Sequence, residues 1–365
     1  MNLVAPLEAS PMRIFKYEGI ELESFRIILK EMVGIPLLIA GMEKEDTEKV
    51  YIGEEAHNFR QSLNLQSPTR NLSAIDWAGL EMMLNYTFMD ELRLSPEDHP
   101  ILLVDPQFNL RKNRQKMAEI MFNTFNIPAL HMVNQARLAL YATNRNTGTI
   151  LYSGFWETYS VPIIMGEVMS HAILKIDVGF LDLLDYLIKI LKTPLVADRK
   201  TAGKIVGKLG YVALDFEQEM QTAASSSSLD KSYELSDGKV ITLGNERFRC
   251  PEALFQPSLL GKDISGIHDV IYESIKKCES NYRALFGNIV LSGISTSLPG
   301  VDQRLLKEMR ALAPPNMDVQ IIAVPSKERP DLAWIGGSKL ASQKTFNKMV
   351  ITKEEYKKFG PSVIN

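Results

Sequence analysis

Cysteine is scarce in this chain: Cys250 and Cys278 are the only two among 365 residues, and their spacing is not that of a metal site. So few thiols exclude a disulfide-rich secreted scaffold and predict a reduced, intracellular protein. We expect Cys250 to be buried and inert. The five histidines are scattered without metal-ligand spacing, so ordinary core or surface histidines are the better interpretation.

Long apolar runs and dense basic clusters are also missing. The longest apolar run, residues 32–41, is too short to cross a bilayer, and residues 1–11 lack the basic start and apolar stretch of a secretory signal. The net charge of −3 argues against a nucleic-acid binder. We therefore expect neither a membrane nor a nucleic acid among the partners.

The residues that are present predict a large α/β protein. Hydrophobic residues make up 45% of the chain and charged residues 23%, which is ordinary for a globular protein that divides into more than one domain. Short apolar runs predict covered strands at 101–104, 149–152, 172–176 and 288–291. Apolar residues at helical spacing predict helices at 113–125, 181–191, 267–278 and 304–313. This alternation predicts a mainly parallel or mixed sheet.

Two segments look like insertions on that scaffold. Residues 37–51 are expected to form a loop with Gly41 and Met42 at its tip, followed by a charged stretch at 43–46. Residues 210–261 contain two short strand candidates, 231–235 and 240–243, separated by a turn at 236–239, which predicts a β-hairpin. The serine run 225–228 is expected to form a loop.

The most informative segment is a buried strand that enters a tight turn and returns as a second strand, at 149–164. In a fold that clamps a nucleoside triphosphate, such a turn offers backbone N–H groups to phosphate and carboxylates to a hydrated Mg²⁺. Here the candidate carboxylate positions carry Tyr152 and Phe155, and Trp156 occupies the place of a small residue. We interpret Phe155 and Trp156 as core residues that fill an emptied cleft; the alternative is a new ligand pocket lined by aromatic rings.

Three motifs closely resemble actin. They are the segments 214–220 (LDFEQEM), 244–252 (GNERFRCPE) and 334–338 (WIGGS). The resemblance runs from about Gly34 to Asn365. It implies a two-lobed fold of the sugar-kinase and heat-shock-70 ATPase type, in which each lobe is a mixed sheet flanked by helices. The small lobe would comprise residues 1–142 and 333–365, with a loop insertion at about 31–67, and the large lobe residues 143–332, with an insertion at about 179–270.

In the family, ATP and a divalent metal lie between the lobes, and the resemblance implies which residues would meet them. Lys16, Ser153 and Gly154 match the phosphate-contacting positions, and Gln135 matches the glutamine that positions the hydrolytic water. The aspartates of the second phosphate turn are lost at Tyr152 and Phe155. A water-orienting glutamine does little if nothing holds the metal and phosphate, so Gln135 is expected to be vestigial and the chain to have no catalytic or metal-binding residue.

Two more parts of the family pattern are altered. In the nucleoside loop, Gly293, Thr296, Pro299 and Gly300 persist, but the family's Lys-Glu pair near the base falls on Val206 and Gly207. A tyrosine, Tyr159, replaces the histidine that helps to order the hydrolytic water.

The family's polymer contacts also differ here. Glu43 and Glu45 interrupt the apolar tip of the loop that inserts into the next subunit, and Glu167 stands on the receiving surface where the family has a tyrosine. Carboxylates that meet across one contact repel, so self-polymerisation is expected to be impaired. In the groove where partners dock a helix, Lys339 and Gln343 replace apolar residues, which is expected to weaken docking.

These observations favour a divergent actin-like cytoskeletal protein of the cytoplasm that acts as a structural or interaction module, with conventional actin or actin-binding proteins as partners and no cofactor. The alternative is a working ATP-binding filament subunit that hydrolyses ATP slowly and uses ATP with Mg. A phosphotransferase of the wider fold class would need a phosphate turn and a catalytic carboxylate, and neither is apparent in the sequence.

Overall fold

A computed structural model describes residues 74–279 and 282–364, together with short strands at 4–5, 27–30, 39–41, 50–52 and 64–66. The chain divides into two compact units. The first unit comprises Met1–Ala142 and Ala333–Asn365, and the second comprises Thr143–Leu332. Each unit is described by itself below.

The strands of the described residues are, in chain order, β1 Val4–Ala5, β2 Ile27–Lys30, β3 Ile39–Gly41, β4 Val50–Ile52, β5 Asn64–Gln66, β6 Ile101–Asp105, β7 Ala129–Asn134, β8 Gly148–Ser153, β9 Thr158–Ile164, β10 Glu167–Val168, β11 Leu174–Ile176, β12 Lys231–Glu234, β13 Val240–Leu243, β14 Ile289–Ser292 and β15 Ile351–Thr352.

The α-helices of the same described residues are α1 Trp77–Tyr86, α2 Arg111–Glu119, α3 Gln135–Ala142, α4 Phe180–Leu191, α5 Arg199–Leu209, α6 Phe216–Ser225, α7 Glu246–Glu252, α8 Ile267–Lys276, α9 Tyr282–Phe286, α10 Val301–Leu312, α11 Leu332–Ala341 and α12 Lys353–Phe359. Two π-helical turns continue helices of the first unit: Thr87–Leu92 follows α1, and Ile120–Thr124 follows α2.

The main sheet of the first unit has the order β1-β2-β6-β7-β15, in which β15 is antiparallel to β7 and the other pairs are parallel. Every residue of β6 is buried, as its unbroken apolar run predicts. The core against this sheet includes Phe122, whose ring stacks on that of Tyr356 in α12 with centroids 4.4 Å apart. Residues near the end of the chain therefore complete the core begun by residues 80–130.

The expected loop at 37–51 is partly wrong. Gly41 is not at a loop tip, because it belongs to β3 and pairs with Val50 of β4 in an antiparallel sheet of order β4-β3-β5. Met42 and the charged stretch that follows lie outside the described residues.

The second unit is built on a mixed sheet of order β10-β9-β8-β14, with β11 also paired to β9. The pair β8–β14 is parallel and the pair β8–β9 antiparallel, so the predicted mixed sheet is confirmed. Helices α4, α8 and α10 cover it with fully buried apolar side chains, among them Leu183, Ile271 and Leu305.

Most predicted elements of this unit are confirmed with shifted ends. The hairpin forms with Lys231 opposite Leu243. The strand expected at 172–176 begins only at Leu174, because residues 170–172 form a 3₁₀ turn. The helix expected at 304–313 begins a turn earlier, at Val301. Among the described residues, no helix combines the length and hydropathy needed to cross a bilayer.

Candidate functional site

The turn between β8 and β9 closes with Phe155 and Trp156 at its tip. The Gly154 N–H donates to the Glu157 carbonyl at 3.0 Å. The Gly154 carbonyl accepts from the Phe180 N–H at 2.8 Å, and the Phe155 carbonyl accepts from the Leu181 N–H at 3.0 Å. Phe180 and Leu181 begin α4, so the turn itself satisfies helix N-terminal donors that would otherwise favour an anion.

The first residue of α4 is preceded by Gly179, which the turn backbone touches closely. A Cβ at Gly179 would lie 2.4 Å from the Phe155 carbonyl oxygen. The Gly179 N–H donates to Asp182 at 2.9 Å, so this aspartate stabilises the start of the helix, where the dipole favours an anion. Lys262 in turn donates to Asp182 at 2.7 Å. Together these contacts fix the turn against the helix start.

Tyr152, at the position of the first lost aspartate, lies under the turn. Its ring stacks on that of its cross-strand partner Tyr159, with centroids 4.7 Å apart and planes 21° apart. Only 6% of Tyr152 and 1% of Tyr159 is exposed. A Cβ at Gly154 would lie 2.6 Å from the Tyr152 ring, so the aromatic ring occupies the space above this glycine. Burial raises the pKa of Tyr159 well above its usual value, and Tyr152 and Glu157 add to the shift, so the phenol is protonated at neutral pH.

Ser153, a predicted phosphate-contacting residue, is fully buried and donates into the protein. Its Oγ lies 2.7 Å from the Oγ1 of Thr158, which donates to the Val178 carbonyl at 2.7 Å. A carbonyl only accepts, so the Thr158 proton points to Val178 and the Ser153 hydroxyl is the donor to Thr158. This arrangement leaves the Ser153 hydroxyl no proton for a phosphate oxygen.

Phe155 and Trp156 behave differently. Phe155 packs against the core of the second unit, and its ring meets that of Phe180 edge-on, with centroids 6.0 Å apart and planes 89° apart. The prediction that it is a core residue is confirmed in part, because Phe155 is half-buried at the edge of that core. Trp156 is 36% exposed, so the same prediction is wrong for this ring.

The one carboxylate of the turn is Glu157, which makes an ion pair with Lys175 at 2.6 Å. Lys175 also pairs with Asp177 at 3.3 Å. A hydrated Mg²⁺ requires carboxylates that are free to accept from its waters. The two positions where a carboxylate was expected carry the rings of Tyr152 and Phe155, and the carboxylate of Glu157 is already paired with Lys175. The residues of this turn therefore do not fit a hydrated Mg²⁺. Across the described residues, no group of three or more His, Cys, Asp or Glu is arranged to hold a metal.

The retained glycine loop contacts the same turn. Gly293 has a φ of +89°, and a Cβ there would lie 2.4 Å from the Ser153 carbonyl oxygen, so only glycine fits this close approach. The hydroxyl of Thr296 donates to the Gly293 carbonyl at 2.7 Å, and that of Ser295 donates to the Gly154 carbonyl at 3.3 Å. The structure thus brings together four of the predicted residues, and the Ser153 and Thr296 hydroxyls both donate within the protein.

Arg329 is a residue of this site that the sequence does not reveal. It is 5% exposed, donates to the Thr296 carbonyl at 2.6 Å, and accepts from the Gly293 N–H at 2.9 Å through its own carbonyl. Burial lowers its pKa, and Asp302 at 3.6 Å opposes the shift. The cation therefore holds the glycine loop from behind. A lone arginine in a loop gives no sequence signal of burial.

The remaining predicted residues fall elsewhere. Lys16 lies outside the described residues. Gln135 is the first residue of α3 in the first unit and is 4% exposed. Asn134 caps this helix by accepting from the Ala136 N–H at 3.0 Å. Val206 is buried in α5, whereas its neighbour Gly207 is exposed.

The interpretation of Cys250 as a buried, inert thiol is confirmed. Cys250 is buried and its thiol lies 3.2 Å from the Leu183 carbonyl, and burial raises its pKa, so it is unreactive. Asp105 ends β6 and accepts from Asn109 and Arg114 at 2.8 and 3.1 Å. Burial raises the pKa of Asp105, and the two hydrogen bonds oppose the shift.

In the first unit, both polar residues predicted to disturb the docking groove bind to α3. Lys339 donates to the Ala142 carbonyl at 2.5 Å, and Gln343 donates to the Tyr141 hydroxyl. Ala142 is the last residue of α3, where the helix dipole favours a cation. These bonds hold both side chains along α3.

Comparison with known families gives one match over most of the chain. The sequence model of the family described as Actin matches residues 29–202 and 195–365. The match includes both strands of the turn, the glycine loop and the twelve α-helices that the structure describes.

Proposed function

The chain belongs to the actin family, and on that premise we propose that it is a divergent actin-like cytoskeletal protein that acts as a structural or interaction module and no longer hydrolyses ATP. The two units would be the small and large lobes of the family's fold. The protein would work in the cytoplasm and bind conventional actin or actin-binding proteins.

The observation that carries this proposal is the Tyr152 ring seated over Gly154, 2.6 Å from the position of a Cβ. In the family this position supplies a carboxylate to the metal. Here the stacked rings of Tyr152 and Tyr159 take its place, and the neighbouring serine hydroxyl donates to Thr158. Without charge to neutralise a triphosphate, the remaining backbone donors of a phosphate turn bind it weakly.

The retained glycine loop is the observation that favours the alternative, an ATP-binding filament subunit with slow hydrolysis. Gly293 and Gly300 both keep a positive φ, +89° and +87°. Close packing requires glycine at these positions whether or not a nucleotide binds, because a Cβ at Gly300 would lie 2.2 Å from the Val212 carbonyl oxygen. Packing alone therefore accounts for both glycines.

Nucleotide occupancy separates the two functions. Protein purified without added nucleotide should contain no stoichiometric adenine nucleotide after acid extraction and chromatography, and Mg-ATP should leave its melting temperature unchanged. Conventional actin, treated in parallel, is the positive control. Bound nucleotide, or a shift of several degrees with Mg-ATP, would favour the alternative, because a ligand specific for the folded state raises the melting temperature.

A further inference from the structure

We propose that the outward face of α1 and its π-helical continuation is a docking surface for an amphipathic helix of another protein, one that carries lysine or arginine beside its apolar stripe. We call this surface the α1 face. It comprises Ala78, Met82, Asn85 and Met89, with Glu81 and Asp90 beside them.

Helix α1 has apolar residues on two sides, although only one side packs against the core of the first unit. Its inward side buries Leu80, Met83 and Leu84, each at most 5% exposed. On the opposite side, Met82 is 39% exposed and Met89 48% exposed. A surface helix normally presents polar residues outward, so the second apolar side is not explained by folding of this unit.

The spacing of the outward side chains is that of a helix-packing seam. Ala78, Met82, Asn85 and Met89 follow one another at steps of four, three and four residues. This is the heptad step by which one helix packs along another. Methionine side chains adapt to varied partners, which suits an interface that forms and separates.

A cavity of about 570 Å³ opens beside this seam. Ile52, Tyr86 and Phe125 contribute apolar surface, and Ala78 and Met82 form the edge shared with the seam. A helix lying on the α1 face could therefore insert a large apolar side chain here, as anchor residues do in helix-in-groove recognition.

The charges of the α1 face select the partner. Glu81 and Asp90 line the cavity, and neither carboxylate has an ion-pair partner within the part of the chain that the structure describes. No lysine, arginine or histidine occurs between Trp77 and Leu92. Basic residues on the incoming helix would complement these carboxylates.

The same charges argue against two other occupants. In a two-fold contact between copies of this chain, each α1 face would meet its own carboxylates. An anionic membrane surface would repel them as well. A basic amphipathic helix is the occupant that matches both the apolar seam and its charged border.

A synthetic peptide of about three heptads tests the proposal, with leucine at the seam positions and lysine at the flanking ones. The matched control peptide replaces every lysine with glutamate. Fluorescence anisotropy with the full chain should show binding of the lysine peptide, at least tenfold weaker binding of the glutamate peptide, and a loss of affinity with added salt.

Variants locate the binding on the α1 face. Met82→Asp and Met89→Asp should each weaken binding of the lysine peptide at least tenfold. Val240→Asp, at an equally apolar side chain that is 61% exposed in the second unit, should leave it unchanged. The charge-reversed variant Glu81→Lys with Asp90→Lys should prefer the glutamate peptide. Far-UV circular dichroism of each variant checks that the fold is retained.

Three results would overturn the proposal. One is a charge-reversed variant that keeps its preference for the lysine peptide. Another is resistance of Met82 and Met89 to oxidation by hydrogen peroxide in the free protein, because the face would then be covered already. The third is a dimer that Met82→Asp converts to monomer in sedimentation velocity, which would assign the face to a second copy.

Discussion

The ring of Tyr152 lies so close to the α-carbon of Gly154 that an added methyl group would sit 2.6 Å from both its Cε1 and its hydroxyl oxygen. Because Tyr159 stacks on the same ring, the ring has little room to retreat. We expect Gly154→Ala to lower the free energy of unfolding by about 1–3 kcal/mol, the usual cost of overpacking. Urea denaturation measures it.

The control for this prediction is Gly207→Ala in α5, where nothing lies within 4 Å of the new methyl group. That change should stabilise the protein by about 0.5–1 kcal/mol, because alanine is a better helix former than glycine. Combining Gly154→Ala with Tyr152→Leu should recover part of the loss. If Gly154→Ala lowers the free energy of unfolding equally in the wild type and in Tyr152→Leu, a clash with the Tyr152 ring is not the cause.

Replacement of Glu252 by alanine should destabilise the second unit strongly. Arg304 donates to both carboxylate oxygens of Glu252 at 2.9 Å, and their side chains are 8% and 0% exposed. The substitution removes the bidentate partner of a buried guanidinium, which keeps its ion pair with Glu308 at 2.6 Å. Loss of one member of a buried pair costs about 3–5 kcal/mol. Thermal and urea denaturation measure the change.

An exposed ion pair provides the comparison. Asp185 pairs with Arg199 at 2.6 Å, with side chains 53% and 50% exposed, so Asp185→Ala should cost less than about 1 kcal/mol. If Glu252→Ala and Asp185→Ala lower the free energy of unfolding by similar amounts, burial of the ion pair does not determine how much its loss destabilises the protein.

The cap of α5 should give a stability difference that depends on pH. Asp198 accepts from the Thr201 N–H at 2.9 Å and from its hydroxyl at 2.7 Å, and the N–H bond above all lowers the pKa of Asp198. A lowered pKa means that the stabilisation is present above the unfolded value, near 4, and is lost as the pH falls through the folded value. Asp198→Ala should cost about 1 kcal/mol at pH 7.

Denaturation between pH 7 and pH 3 checks this prediction. The difference between wild type and Asp198→Ala should shrink as the pH falls. Asp198→Asn keeps a neutral acceptor, so its difference from Asp198→Ala should stay constant across that range. If wild type remains more stable than Asp198→Ala at pH 3 by the same free energy as at pH 7, the ionised carboxylate is not what stabilises the cap.

Sedimentation tests the predicted loss of self-assembly. Wild-type protein should stay in the supernatant under conditions that pellet conventional actin, because Glu167 and the acidic residues Glu43 and Glu45 would repel across the contact. Glu167 is exposed, and the other two lie outside the described residues. Replacing Glu167 by tyrosine and the other two by glutamine should increase pelleting.

Added conventional actin completes that experiment. Co-pelleting of the wild-type chain with actin would indicate an interaction that self-assembly does not require. Robust pelleting of the wild-type protein by itself would contradict the impaired-contact prediction.

Sequence patterns predicted the framework of the second unit well, because its strands are unbroken apolar runs and its hairpin has a clear turn. The same patterns did not predict α1 or α5. Each begins at an aspartate that accepts from the backbone three residues later, Asp76 and Asp198, and this capping signal could have found both. The π-helical turns have no comparable signal. Each continues an α-helix that has already begun, so no capping residue marks where the helical period changes.

At the candidate site, the sequence predicted which side chains were lost but not where their replacements lie. Composition says that Phe155 and Trp156 are both large and apolar. It does not say that one packs against the core and the other is 36% exposed, because that depends on how the turn folds against α4. Likewise, the hydrogen bond from Ser153 to Thr158 depends on cross-strand register, which the sequence leaves open.

The stacking of Tyr356 on Phe122 has a consequence for synthesis on the ribosome. Residues 143–332 can complete their own core as soon as they have emerged. The core around Phe122 must wait for Tyr356, and the β7 edge for β15, both translated more than two hundred residues later. During that interval the nascent first unit exposes an unpaired strand and an unfilled apolar face, which are the surfaces that chaperones bind.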